Sequence, residues 1–398
     1  MAPVGVPARE RRVPARRPRR DRGRASAGRA RPRAAVRGGP AATHPPPPHG
    51  RGPRRHRRGP DGGPPRRLPA PRDGGAVSEQ TAGGPEISVV VPTYRRAGNL
   101  RRLVAALEVQ TLDPARFEVL IVDNGSDDDT GAELARLAAG TKIDLRPQRI
   151  EVNHGPAAAR NLGWRAAAAP YVAFTDDDCV PRPDWLEQAL ASCVATPDLG
   201  VLQGATLRPS GTFAYGPNTV YRETLSPSPY FEGCNLVFPR RVLEQTGGFD
   251  ETYHFGGEDT AAGWSAIESG GRWLFDETCA VEHDIVERPL RWHLMMAWRE
   301  GNLVDVAVRH GALRQHGFWR PWAHRPWNVA FALGVAGSVV SLRRPRALGL
   351  WAPWLWYRRP SGAPARIAAQ VVARRFLNDS VVLASMVRAS VRNRTVVL

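Results

Sequence analysis

Three adjacent aspartates, Asp176, Asp177 and Asp178, follow the apolar run YVAFT in YVAFTDDDCVP. Carboxylates this close ionise together only when a cation or several donors offset their repulsion. A hard divalent ion, Mg2+ or Mn2+, suits them because it takes oxygen ligands and keeps positions open for phosphate oxygens; a solvated acidic turn is the competing reading. Neither GxxxxGK[ST] nor GxGxxG occurs, so a carboxylate-held metal would take over the work of a phosphate-cradling loop. A second acidic pair, Glu258 and Asp259 in FGGEDTAAGW, stands at a helix start. There a carboxylate either caps the helix, worth about 0.5 to 2 kcal/mol, or serves as a general base. His283 in VEHDIVERP is either structural or a neutral imidazole beside the metal. Asp123 in DNGS caps a turn or accepts from a base N–H, and Arg160 in AAARNLGW is a surface helix arginine or faces the same edge as the aspartates.

Buried strands and amphipathic helices must bring these groups together. ISVVV, residues 87–91, is a β-branched run bounded by Pro92, which predicts a strand covered on both faces. Asn99 is expected to cap the helix NLRRLVAALEVQ, and FEVLIVDNGSDDD supplies the next strand. DTGAELARLAA, the short strand QRIEV, the helix of GPAAARNLGWRAAAA with Pro156 in its first turn, the strand YVAFT and the helix opened by Pro183 and Asp184 repeat the order. Strand and helix in alternation predict an α/β fold with a mostly parallel sheet sandwiched by helices. Ligands in such sheets bind beyond the carboxyl ends of the strands, where Pro92-Thr93-Tyr94, Asp123 and the three aspartates all fall. Residues 200–288 read as a mixed region laid against that sheet, with EDTAAGWSAIESG a helix closed by Gly270.

The first 80 residues hold 21 Arg, no Lys and 5 acidic groups, so nearly all of the formal charge of +18 sits there. With almost no large aliphatic residues, 1–84 is expected to be a disordered basic tail, and Val77 suits an alternative start. Nucleic-acid binding ranks low because this charge has no interleaved aromatics. No apolar segment follows the basic N-terminus as in a secretory leader, and Cys179, Cys193, Cys234 and Cys279 show no CxxC spacing. A reducing cytoplasmic location fits, including the inner face of the cell membrane. Residues 289–398 form a Trp- and Arg-rich helical extension whose apolar stretches, 327–341 and 347–357, fall short of a bilayer span. Three readings stand for them: core helices, a monotopic element in peripheral membrane contact, or a spanning hairpin.

SVVVPTYRR, VLIVDNGSDDDT, NHGPAAARNLGW, VAFTDDDCVPRPDWL, GCNLVFPRRVLEQTGGFDE and GGEDTAAGWSA, in this order, resemble the GT-A fold glycosyltransferases of family 2 over residues 86–283, about half the chain. The resemblance implies a Rossmann-like GT-A domain at 85–288, with a nucleotide half at 85–180 and an acceptor half at 181–288. It also implies an inverting, Mn2+- or Mg2+-dependent transfer of one sugar from a nucleotide-diphosphate sugar to a glycan, lipid-linked or other hydroxyl acceptor. Pro92, Thr93, Tyr94, Asp123, Arg160, Asp176 and Asp177 match the nucleotide-sugar side. Asp178, Asp176 and His283 match the metal side, with Asp178 placed first. Asp259 matches the catalytic base with Glu258 as runner-up, and Gly233, Cys234 and Asn235 match the acceptor-side loop. The chain lacks the QxxRW of processive members, which implies single additions. A nucleotide-sugar-binding or pyrophosphorylase-like protein without transfer is the alternative; the second acidic pair discriminates, since only transfer needs a base.

Overall fold

The computed structural model describes residues 83–209, 218–253, 256–360 and 365–398, so all but the last two residues of the expected tail lie outside it. The first elements are β1 (Ile87–Thr93), α1 (Ala97–Glu108), β2 (Phe117–Asn124), α2 (Thr130–Gly140), β3 (Asp144–Ile150), α3 (Pro156–Ala166) and β4 (Tyr171–Thr175). Their strands pair in parallel in the order β3-β2-β1-β4. Strand alternation divides the apolar side chains between two cores. Val89, Val91, Val119 and Ile121 pack on one face with Leu100, Leu103 and Leu107 of α1. Val90 and Leu120 pack on the other with Ala157 and Trp164 of α3. Burial on both faces is why these strands read as continuous apolar runs rather than alternating ones.

Two local expectations change. Helix α1 begins at Ala97 rather than after Asn99, and no side chain caps it; the Arg96 backbone N–H is satisfied instead by Thr130 Oγ1 at 2.9 Å, a tertiary substitute for a local cap. Strand β3 begins at Asp144, earlier than QRIEV, because an edge strand tolerates Pro147.

The following elements are β5 (Cys179–Pro181), α4 (Trp185–Val194), β6 (Leu199–Leu207), β7 (Thr219–Val220), β8 (Asn235–Pro239), α5 (Arg240–Thr246), α6 (Glu258–Glu268), β9 (Arg272–His283) and β10 (Val286–Glu287). Strands β6, β8 and β9 extend the main sheet to the order β3-β2-β1-β4-β8-β6-β9-β5. The region expected to lie against the sheet therefore largely completes it. Strand β8 runs antiparallel between β4 and β6, with Asn235 opposite Thr175. Strand β5 pairs Cys179 with His283 at the end of β9. These two reversals bring the residues after β4, those before β8 and the last residue of β9 to one place. Helix α6 stops at Glu268, and Gly270 takes the left-handed φ of 99° that turns the chain into β9.

Among the described residues six more helices follow: α7 (Leu290–Arg299), α8 (Asn302–Arg309), α9 (Gly311–His316), α10 (Pro326–Ser341), α11 (Ala352–Arg358) and α12 (Ala365–Arg392). Ala297, Val304, Val306, Leu313, Val382 and Met386 share one buried cluster with Phe174, Phe238 and Trp264. The core thus continues across the residue 288 boundary drawn from the sequence. Among the described residues no helix is long and apolar enough to cross a membrane, which leaves the spanning-hairpin reading without a helix to carry it.

Candidate functional site

The aspartates occupy the turn between β4 and β5, and each meets a different environment. Asp176 is half-buried and accepts from Arg160 Nη2 at 2.9 Å. Asp177 is buried and accepts from Thr93 Oγ1, at the end of β1, at 2.7 Å. Burial pushes its carboxyl up to about 7 against the pull of Arg96, whose Nη1 lies 3.9 Å away. Asp178 is also buried, 3.4 Å from Arg96 Nη1 and 3.5 Å from His283 Nε2. The His283 Nδ1 lies 2.8 Å from the Asp284 carbonyl. A carbonyl only accepts, so Nδ1 donates to it and Nε2 is the ring nitrogen that faces Asp178.

One ligand atom each from Asp178, Cys179 and His283 falls within 4.8 Å of the others. The interaction with Cys234 and burial hold the Cys179 thiol well above its ordinary pKa, so it serves as packing. Asp178 and His283, with the half-exposed Asp176 beside them, leave an oxygen-rich set with one imidazole. That set fits Mn2+ or Mg2+ better than a thiolate-seeking ion.

Arg160, buried on α3, ties the acidic turn to the start of α6. Its Nη1 donates to Glu258 Oε1 at 3.1 Å, and its guanidinium lies 5.6 Å over the Phe249 ring. Burial opposes its charge, but Asp176, Glu258 and Asp259 outweigh that and hold its pKa above the ordinary value. Glu258 also accepts from the Gly256 N–H at 2.8 Å, so both its oxygens are engaged in structure. Asp259 faces the cleft, accepting from the Thr260 N–H at 2.8 Å and the Gly233 N–H at 2.9 Å. Burial and the neighbouring Glu258 push its carboxyl up to about 7 against Arg160. A carboxyl with that value at a cleft wall is matched to taking a proton near neutral pH. Both carboxylates accept two hydrogen bonds, but Glu258 is buried in its ion pair with Arg160 whereas Asp259 is only partly buried, so Asp259 is the more accessible of the two to a bound molecule.

A cleft of about 710 Å3 opens over Arg160, Asp176, Gly233, Asp259 and His283. Gly233 must be small, because a Cβ there would lie 2.8 Å from Arg160 Nη2. Cys234 lines the cleft beside Gly233, and it and Asn235 also serve packing. The Cys234 thiol is buried and lies 3.3 Å from Thr206 Oγ1. The Asn235 side chain faces inward, accepting from Trp185 Nε1 at 3.0 Å and donating to the Ala205 and Cys279 carbonyls at 2.8 Å each. With every polar atom committed, Asn235 brackets three strands and has nothing left for a ligand.

At the other end, Asp123 is buried at the tip of β2, accepts from the Ser126 N–H at 3.0 Å and pairs with Arg149. Pro92 is paired within β1, and Tyr94 is exposed beside Arg95. Sequence reasoning missed Arg96, Arg149 and the far wall of the cleft, where Trp292, His293, Met296, Arg299, Glu300 and Arg325 come from beyond residue 288. The only signal for Arg96 was its place just after the first strand end; nothing in the spacing marked the others.

A family model described as glycosyl transferase family 2 matches residues 88–251. The pre-mycofactocin glycosyltransferase of Mycobacterium tuberculosis is 31% identical over 249 residues, covering 56% of this chain and 48% of that protein. Glycosyltransferase AglE of Haloferax volcanii is 32% identical over 183 residues, covering 44% of this chain and 59% of that one. The chain thus spans about half the length of these curated relatives. The solved mannosyltransferase PcManGT from Pyrobaculum calidifontis, in complex with GDP-Man and Mn2+, aligns over 79% of this chain and 88% of its own with a TM-score of 0.50. At 22% identity that likeness bears on the fold.

Proposed function

We propose, from the match of residues 88–251 to the glycosyl transferase family 2 model and from the likeness of fold, that the chain transfers a single sugar, with inversion, from a nucleotide-diphosphate sugar to an acceptor hydroxyl. The observation that carries this reading is Asp259: a carboxyl raised to about 7, at the wall of the same cleft as Asp176 and His283. A protein that only bound the donor would need the acidic turn but not this second group.

The donor's nucleotide lies toward Asp123, Thr93 and Tyr94, and its diphosphate toward Asp176 to Asp178. Asp178 and His283, with Asp176, would hold a Mn2+ or Mg2+ ion, which when bound offsets the negative charge of the leaving diphosphate. Arg160 fixes Asp176 and balances the charge around Asp259. Asp259 accepts the proton of the acceptor hydroxyl as that oxygen attacks the anomeric carbon from the face opposite the diphosphate. An α-linked donor of the D-gluco type therefore gives a β-product. The acceptor rests against Gly233 and the wall supplied by α7. Its class is a glycan, glycolipid or other glycoconjugate, in keeping with cell-surface synthesis. The test is a screen of UDP- and GDP-sugars with Mn2+ by thermal shift, followed by release of nucleoside diphosphate on adding acceptor alcohols. Stabilisation by donor with no acceptor-dependent release from any of them would favour the binding-protein reading instead.

A further inference from the structure

The hairpin made by α10, the short 3-10 segment Pro345–Trp351 and α11 is built inside out. Its inner contacts use glycines: a Cβ on Gly334 would lie 2.5 Å from the Trp351 ring, and one on Gly337 would lie 2.6 Å from the Ala347 carbonyl. Its small buried cluster is Ala330, Phe331 and Trp354, facing α12. Beyond those two aromatic rings, many of its large apolar side chains point the other way. Leu333, Val339, Leu348 and Leu355 are exposed, and Leu342 and Trp356 are 86% and 64% exposed. A hairpin serving only as core would place these residues inside and its small ones outside.

Charge on the same hairpin is of one sign. Arg343, Arg344, Arg346 and Arg359 are exposed beside the apolar residues, and Arg359 lies 3.6 Å over the Trp356 ring. No acidic residue occurs between Asp305 and Asp379. A protein partner of mixed charge would leave these cations unmatched, whereas a layer of anionic headgroups over hydrocarbon matches both features at once. Tryptophan and arginine are the side chains that settle at such a boundary, ring toward the acyl region and cation toward phosphate.

We propose that this face docks on the surface of an anionic lipid bilayer, with Leu342 and Trp356 entering the headgroup boundary and the four arginines pairing with phosphates. None of its helices reaches across, so attachment is to one leaflet. The proposal stands whether or not the cleft transfers sugar.

The test is flotation of the full chain with phosphatidylcholine vesicles, with and without a third of phosphatidylglycerol, at low and raised salt. Two variants keep the basic N-terminal segment unchanged: Leu342→Ser with Trp356→Ser, and Arg343→Gln with Arg344→Gln and Arg346→Gln. All five positions are exposed, and unchanged melting temperatures confirm that folding is intact. The expected result is binding to anionic vesicles that survives partly at raised salt, reduced roughly tenfold or more by the apolar pair and made insensitive to phosphatidylglycerol at raised salt by the arginine set. Flotation equal to the parent in both variants would overturn the proposal, assigning the binding to the N-terminal arginines. Absence of parental binding would also overturn it, as would a dimer that the apolar pair dissociates while flotation is unchanged, which would make the face a contact between copies of the chain.

Discussion

The Arg160 guanidinium donates to Glu258 at 3.1 Å across 98 residues of sequence. With its second contact, to Asp176 at 2.9 Å, it couples the turn after β4 to the first turn of α6. Lysine offers no planar fork for two such partners. Arg160→Lys should therefore keep the fold but lower transfer through misplacement of Asp176. Arg160→Met should destabilise by about 3 to 5 kcal/mol, because it strands buried carboxylates. Chemical denaturation of both variants beside donor-binding measurements checks this; equal stability of parent and Arg160→Met would contradict it.

Asp259 should set the acid limb of activity. Transfer needs its carboxylate, so kcat/KM should climb about tenfold per pH unit below 7 and level off above. Asp259→Asn should retain donor affinity and lose at least about a hundredfold in rate. The same raised pKa acts on stability. The folded chain holds this proton more firmly than the unfolded one, so its contribution is fullest below the ordinary 3.8 and is lost as pH rises through about 7. Asp259→Asn should flatten that slope in pH-dependent melting curves.

Removing the metal side should separate binding from folding. Asp178→Ala should abolish the Mn2+-dependent part of nucleotide-sugar affinity in calorimetry, and His283→Ala should weaken metal affinity in the same titration. Donor affinity that is the same with Mn2+ and with EDTA in the parent protein would remove the metal from the reading.

Gly233→Ala tests the close approach of the loop to Arg160. The added methyl must displace a guanidinium 2.8 Å away, at a cost of about 1 to 3 kcal/mol. Transfer should fall more than donor binding, because the same residue's N–H holds Asp259. Gly233→Ala with parental turnover would show that the loop can yield without moving either group.

The parallel strands β1, β2 and β4 were legible because they are buried on both faces and end in residues with few other reasons to be there. The runs ISVVV and YVAFT marked their strands, and the acidic turn followed directly. The region after β4 was legible only as motifs. Strand β8 has five residues and β5 three, too short to separate from loops by periodicity. Asn235 illustrates the same limit: its motif neighbours pointed to the cleft, but only the packing of Trp185, Ala205 and Cys279 around it reveals a side chain spent on structure. Arg149 and the α7 wall depend on distant segments meeting, which no local pattern encodes.

The cluster that unites Phe174 with Val382, Met386 and Val397 also imposes an order in time. A ribosome completes every described strand of the main sheet, with α3, α5 and α6 against it, by His283, yet the part of that cluster built from α7, α8 and α12 emerges only afterwards. During that interval the nascent domain presents one cluster without the apolar residues of its later helices, an opening for misassociation that closes as α12 docks.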